Sequence, residues 1–412
     1  MRLQKKWQLC IVLFLATTLN YLDRQTMSIL APALQRELHL NNEALGWLFA
    51  VFYYAYTFSQ MAVGPILDRS NLRWAFATAV LLWSIVSVLT GLSNGFVALL
   101  IFRLSLGVVE SANWPAGMRV VARMLEPRER ALGNGIFTSG TSVGALVAPG
   151  LILGISAMFG WRWAFVLIGS LGALWICGWV LSTRGPNMAH VWSETAAPES
   201  KGLAGQLAVF RDIVTSPRFV PVFVVAVLVN PCLYFSVNWL PTYFAQQRGL
   251  SPGRQMGWIL TAIYLGLDIG NLACGSVILA LTRRGSSVQA ARRAVFILAT
   301  LSLVCCAAVP LLSMAGAVVA LVLVNFGLGI WAAMYLTMAQ EVSATHVSTA
   351  IGILSGFGSL AGALAMWAVG RVTQQTHSFS IPMNTVAFAA LLAAIAGWMA
   401  SREMVSVKGV RA

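Results

Sequence analysis

Residues Leu9–Leu34 read LCIVLFLATTLNYLDRQTMSILAPAL. The run is long enough to cross a bilayer, since a spanning helix needs about 20 mostly apolar residues. Yet its middle holds NYLDR, Asn20–Arg24, with an acid and an arginine side by side. A charge at the bilayer centre costs roughly 2.5–3.5 kcal/mol on insertion scales. A chain that places two there uses them for pairing or for function, and the rest of the sequence decides which.

The surroundings of that stretch define the class. Of the 412 residues, 58% are hydrophobic and only 10% are charged, against roughly 25% charged in a soluble domain. Mean hydropathy is +0.77. Such a chain cannot cover a water-facing surface of its size, and the expected class is an all-α polytopic membrane protein. Spans are expected at 8–32, 44–66, 74–93, 96–122, 132–157 and 161–183. After the polar interval 184–216, six more are expected at 218–246, 255–281, 293–312, 315–341, 347–370 and 380–401. The pattern gives twelve transmembrane helices in two six-helix bundles, 1–183 and 217–412, joined by a cytoplasmic linker, 184–216. Within the linker, Leu203–Ile213 has the apolar spacing of a short interfacial helix. The basic, apolar N-terminus lacks a small-residue cleavage site and reads as a retained first helix.

The net charge of +14 does not point to nucleic acid, because the basic residues lie in short clusters between apolar runs without a recognition motif. With the N-terminus inside, 20 of the 27 Lys and Arg residues fall in inner segments. That bias places both termini in the cytoplasm of a cell (inner or plasma) membrane. The six cysteines all lie in apolar runs without CxxC spacing. They read as packing residues, with neither a metal site nor a disulfide frame. No cofactor is expected.

The loop after the second span carries Gly64, Asp68, Arg69 and Arg73 in GPILDRSNLR, and the loop after the eighth reads GSVILALTRRG, Gly275–Gly285. The glycines allow close helix approach, and the acid and arginines can bond helix ends. Together with the six-plus-six pattern, Gly64-x-x-x-Asp68-Arg69 with Arg73 resembles the loop motif of the major facilitator superfamily. Asn71 stands where that family usually has glycine, and Leu279 where an aspartate is common, which leaves the inner gate mainly to the first copy. NYLDR, RLSLGVVESANWPAG (Arg103–Gly117) and EPRERALGNGIF (Glu126–Phe137) resemble, more narrowly, the anion:cation symporter family. Its members carry hexuronates, aldonates and other organic anions. The resemblance implies a major facilitator fold, alternating access and a monomer whose partners are a small organic anion, protons and the lipid bilayer.

Five ions lie inside expected spans: Asp23, Arg24, Arg103, Glu110 and Asp268. Neighbours on a helix point about 100° apart, so Asp23 and Arg24 must serve different partners. Arg103 and Glu110, seven apart, share a face about 10.5 Å apart along the axis, too far for a direct pair. An arginine and an acid so arranged suit an anion site beside a proton site, with a tie to a neighbouring helix as the competing reading. The resemblance implies proton coupling at Asp23 and Glu110, and anion handling at Arg24 and Arg103. It also implies hydrogen bonding to substrate by Tyr21, Tyr56 and Gln60. Tyr56 and Gln60 are four apart and share a face; helix–helix contact is their alternative role. Thr141 stands where some sugar-acid carriers have glutamine. In the seventh span Asn238 and Trp239 lie between Pro231 and Pro241, which permit bending; a substrate hydroxyl and ring, or core packing, would engage them. Asp268 reads as structural, and Asn325, Tyr335, Ser355 and Ser359 are further cavity candidates.

The expected function is a proton-coupled symporter importing a small organic anion, foremost a sugar acid such as a hexuronate or aldonate. Carriers of aromatic or other carboxylates, proton antiporters and solute sensors without transport are the alternatives. An enzyme is disfavoured, because no nucleophile–base set or metal cluster is present in the sequence.

Overall fold

The structure, a computed structural model, describes residues 3–68, 70–125, 129–184, 192, 203–343 and 347–402. These residues are helical almost throughout. In chain order the helices are α1 (Leu3–Leu38), α2 (Asn42–Asp68), α3 (Leu72–Gly91), α4 (Phe96–Glu110), α5 (Asn113–Met124), α6 (Arg130–Phe159) and α7 (Trp161–Ser182). There follow α8 (Leu203–Val214), α9 (Phe219–Gln247), α10 (Arg254–Arg283), α11 (Val288–Val304), α12 (Met314–Gln340), α13 (Val347–Thr376) and α14 (Ser380–Arg402). A 3₁₀ segment, Cys305–Leu311, continues α11. Among the described residues ten segments are long and apolar enough to cross a membrane. The helices α1 and α2, of 36 and 27 residues, are outside that set; α1 has Asp23 and Arg24 near its middle.

The ends of these helices follow from local chemistry. Gly160, at φ 86°, reverses the chain in one residue between α6 and α7, a conformation that side chains with a Cβ rarely adopt. Ser287 and Ser313 cap α11 and α12, their hydroxyls accepting from the amides of Ala290 and Gly316. The fourth span, expected at 96–122, is a single apolar segment, Phe96–Met124. Its helical hydrogen bonding is interrupted at Ser111 and Ala112, between α4 and α5, while both residues keep helical backbone angles. Pro115 is the cause: it has no N–H to give the Ser111 carbonyl four residues back, and its ring clashes with that carbonyl.

Contacts divide the chain into two compact units. The first comprises Met1–Ser200 with Pro241–Thr261, the second Lys201–Leu240 with Ala262–Ala412. Within the first, α1 packs on α6, α2 on α4, and α3 on α7. Its interior includes an aromatic stack in which Phe76 and Trp179 both lie against Trp175, ring centroids 5.3 Å apart in each case. The segment Pro241–Thr261 is bonded to this unit, where Asn42 and Gln246 exchange amide hydrogen bonds of 2.9 and 3.1 Å. Within the second, α11 packs on α12 and α14, and Phe296 meets Trp331 at 4.7 Å. Many large apolar side chains face outward, as Leu174 (70% exposed) and Leu272 (74%) do. That is the surface expected where the solvent is lipid.

Candidate functional site

The adjacent charges of NYLDR separate into two environments within the first unit. Arg24 turns to α4, where its Nε donates to Glu110 Oε2 at 2.7 Å. Asp23 turns to α3 and accepts a 2.6 Å hydrogen bond from Ser87 Oγ, which also lies 3.5 Å from the Phe165 carbonyl of α7. The 100° between successive side chains thus sends each ion to its own helix.

The Arg24–Glu110 pair is buried but incompletely satisfied. Glu110 is fully buried, and the Arg24 side chain is 17% exposed. Arg24 Nη2 and Glu110 Oε1 are both buried without a hydrogen-bond partner. Aromatic rings surround the guanidinium: its carbon is 4.3 Å from the Tyr56 ring centroid, 5.3 Å from Phe52 and 5.8 Å from Tyr21. Phe52 and Tyr56, one turn apart on α2, are stacked at 22°. Gly107 lets α4 come this close to α2, because a Cβ there would lie 2.4 Å from the Phe52 carbonyl oxygen. Breaking a buried ion pair by removing one partner is costly, since the other charge is left buried alone.

Arg103 is 2% exposed and is not in this pair. Its guanidinium carbon lies 4.5 Å from the Phe52 ring, so Phe52 neighbours both arginines. Its Nε is 3.5 Å from the Leu48 carbonyl, and its Nη1 is buried without a partner. Glu110 therefore bonds Arg24 across the helix interface rather than the arginine two turns before it on α4.

Other residues named from sequence are placed differently. Gln60 is exposed. Thr141 is partly buried and donates to the Thr138 carbonyl of its own helix at 2.9 Å. Arg73 donates from Nη2 to the Val180 carbonyl in the last turn of α7, and its own carbonyl accepts from Trp179 Nε1. Arg69 and the Asp68 side chain lie outside the described residues, and of Gly64 only its place in α2 is described. In the second unit, Asn238 Nδ2 donates to the Tyr234 carbonyl at 2.8 Å. Trp239 is fully buried, its ring 6.1 Å from Phe379.

The structure adds residues that sequence reasoning passed over. Asn20 is fully buried with its amide in reach of the Glu110 carboxylate, yet neither Nδ2 nor Oδ1 has a hydrogen bond of ordinary geometry. Asn113, at the break below Glu110, is likewise buried with both amide atoms unpartnered. Spacing held the signal: Asn20 precedes Arg24 by four and Asn113 follows Glu110 by three, so each shares a helix face with an ion. In the second unit Ser355 and Ser359, cavity candidates from the sequence along with Tyr335, each pair with a tyrosine hydroxyl from one face of α13. Tyr335 Oη lies 3.2 Å from Ser355 Oγ, and Tyr234 Oη lies 3.0 Å from Ser359 Oγ one turn further on. Among the described residues no group of His, Cys, Asp and Glu could hold a metal ion.

A family model described as the Major Facilitator Superfamily matches residues 13–366. The chain belongs to this superfamily. It is a multi-pass membrane transporter and not an enzyme. The curated relatives of this superfamily member include the hexuronate transporter of Bacillus subtilis, 28% identical over 390 residues covering 91% of this chain and 90% of that one. The D-galactonate transporter of Escherichia coli O6:H1 is 26% identical over 306 residues, covering 70% and 71%. The probable galactarate/D-glucarate transporter of B. subtilis is 26% identical over 398 residues, covering 91% and 87%. The crystal structure of a bacterial homolog of the human lysosomal transporter Spinster, inward-facing and unoccupied, matches with a TM-score of 0.75. It is 20% identical and covers 98% of each chain. At that identity the likeness speaks for the major facilitator fold alone.

Proposed function

We propose that this protein is a proton-coupled symporter that imports a small sugar acid, a hexuronate or aldonate, by alternating access. In this reading it spans a bacterial inner membrane twelve times as a monomer, with bundles 1–183 and 217–412, linker 184–216 and both termini cytoplasmic. The Lys and Arg bias of its loops supports that orientation. The printed functions of its relatives support the substrate class.

The observation that carries the reading is the buried pair of Arg24 and Glu110 with one unsatisfied atom on each partner. Ionised Glu110 occupies the guanidinium. A proton on Glu110 removes the charge that holds it, and Arg24 then has its Nε and Nη2 donors for a carboxylate. The hydroxyls of Tyr21 and Tyr56 flank the same guanidinium and suit the hydroxyls of a sugar acid. Substrate and proton thus share one cation, and a doubly empty or doubly filled site leaves no unpaired buried charge. Arg103 offsets the acids from behind Phe52. Asp23, bonded to Ser87 on another helix, is a second protonation site that does not compete for Arg24.

The test is uptake of labelled galactonate, galacturonate and glucarate into proteoliposomes under an inward proton gradient. Accumulation of one of them that a protonophore abolishes is the expected result. Glu110→Gln should lose pH-driven uptake; full retention would sink the coupling assignment. Uptake driven by an outward gradient instead would make the protein an exporter.

A further inference from the structure

Helix α8 lies outside the spanning set and has three distinct faces. At 100° per residue, Leu207, Phe210 and Val214 fall within an arc of about 60°. Leu207 is 59% exposed and Phe210 44%. Ile213, on a second face, is fully buried. Ala208 and Asp212, on the third, are exposed, and Arg211 is exposed at the border between the apolar and polar faces. A helix in water would have no reason to turn Leu207 and Phe210 outward while holding Asp212 on a separate polar face.

The chain fixes where this helix lies. Immediately after it, Ser216 Oγ donates to the Val342 carbonyl at 3.0 Å, and Arg218 Nη1 donates to the Glu341 carbonyl at 3.2 Å, both just past the end of α12. Arg292 clamps the Glu341 carboxylate with bonds of 2.7 and 3.1 Å. Phe219 then opens the spanning helix α9, and its second residue, Val220, is 62% exposed. The four residues between α8 and α9 can reach at most about 14 Å, so the exposed stripe of α8 lies at the level where the lipid-facing surface begins.

We propose that α8 lies in the plane of the bilayer surface, with Leu207 and Phe210 among the acyl chains and Arg211 on the phosphates of anionic lipids. The partner is the leaflet facing the arginine-rich loops, including the exposed Arg283 and Arg284 of the same unit. Apolar area and basic residues act together in such binding. Through Ser216 and Arg218 the helix ties the end of α12 to the leaflet. This inference does not depend on the transported substrate.

The test uses the full chain with Cys177→Ser, the other five thiols being buried or partly buried. Single nitroxide labels are placed by Leu207→Cys, Phe210→Cys, Ala208→Cys and Asp212→Cys. The protein is reconstituted in vesicles of phosphatidylethanolamine and phosphatidylglycerol. Labels at 207 and 210 should collide with oxygen several-fold more than with a water-soluble nickel complex, and labels at 208 and 212 should show the reverse. Nickel access at all four sites would overturn the proposal, as would shelter of 207 and 210 from both reagents, which would mean that protein covers the stripe. Equal immersion in vesicles lacking the anionic lipid would overturn the role of Arg211.

Discussion

The two units differ in what they place at their polar centres. The first holds four ions, Asp23, Arg24, Arg103 and Glu110, each no more than partly exposed. The second holds chiefly hydroxyls and amides, Tyr234 with Ser359, Tyr335 with Ser355, and Ser236 donating to Asn325 at 2.7 Å, beside a single ion of the expected spans, the partly buried Asp268. Ions in a low-dielectric interior carry large energies that change with each proton, whereas neutral hydrogen bonds contribute about 1 kcal/mol each and are indifferent to pH. In the proposed function this difference is a division of labour: the ions of the first unit couple to protons, and the neutral groups of the second do not.

The strongest way to break this division is to neutralise Arg24. Arg24→Gln leaves Glu110 buried without its cation, a loss of about 2–5 kcal/mol. Uptake should fall by more than roughly 100-fold, since 1.4 kcal/mol is a factor of ten, and the melting temperature in detergent should drop. Adding Glu110→Gln should restore the melting temperature while leaving uptake lost. If the double variant transports, the pair is only a helix tie.

Asp23→Asn comes next. Because Asp23 bonds Ser87 and not Arg24, the variant should still exchange labelled for unlabelled substrate at equal pH. It should fail to accumulate substrate under a proton gradient. Loss of exchange as well would merge the two acids into one site and remove the distinction drawn from their separate partners.

How much of this was legible beforehand follows from the same contrast. Ions in apolar runs are rare, so NYLDR, Arg103 and Glu110 stood out from one sequence. That Asp23 and Arg24 would need different partners followed from helix geometry. The partners themselves did not, because the contact of Arg24 with Glu110 spans 86 residues and depends on how closely Gly107 lets α4 approach α2. Ser87 and Phe52 gave no signal, being ordinary residues of apolar helices. The break after Glu110 was readable from Pro115, whose effect falls four residues back. In the second unit Tyr335, Ser355 and Ser359 could be named as cavity candidates, but their pairing could not, because each serine meets a tyrosine on another helix.

A smaller effect is expected there. Tyr335→Phe and Ser355→Ala each remove one partner of a neutral hydrogen bond, about 0.5–1.5 kcal/mol. KM should rise roughly two- to tenfold with the pH profile unchanged. A shifted pH profile would show that the second unit takes part in coupling after all.

The smallest effect serves as the control for the largest. Glu37, beyond the expected end of the first span, accepts from Arg162 and from Trp161 Nε1, the latter at 2.7 Å. The chemistry is that of the Arg24–Glu110 pair, but the Glu37 side chain is 49% exposed and the Arg162 side chain 36%. Arg162 holds the Glu37 carboxyl below its ordinary value of 4.5. A depressed folded-state value means that the contribution is complete above the unfolded value, around pH 4.5, and is lost as pH falls through the lowered one. Solvent screening limits it to a few tenths of a kcal/mol. Glu37→Gln should therefore lower the melting temperature at pH 7 by no more than about 1–2 °C, with the difference from wild type vanishing once the pH falls below the lowered carboxyl value. Uptake should be unchanged. A drop as large as that of Arg24→Gln would mean that burial does not separate the two pairs, and that the ions of the first unit owe their importance to something other than their dry surroundings.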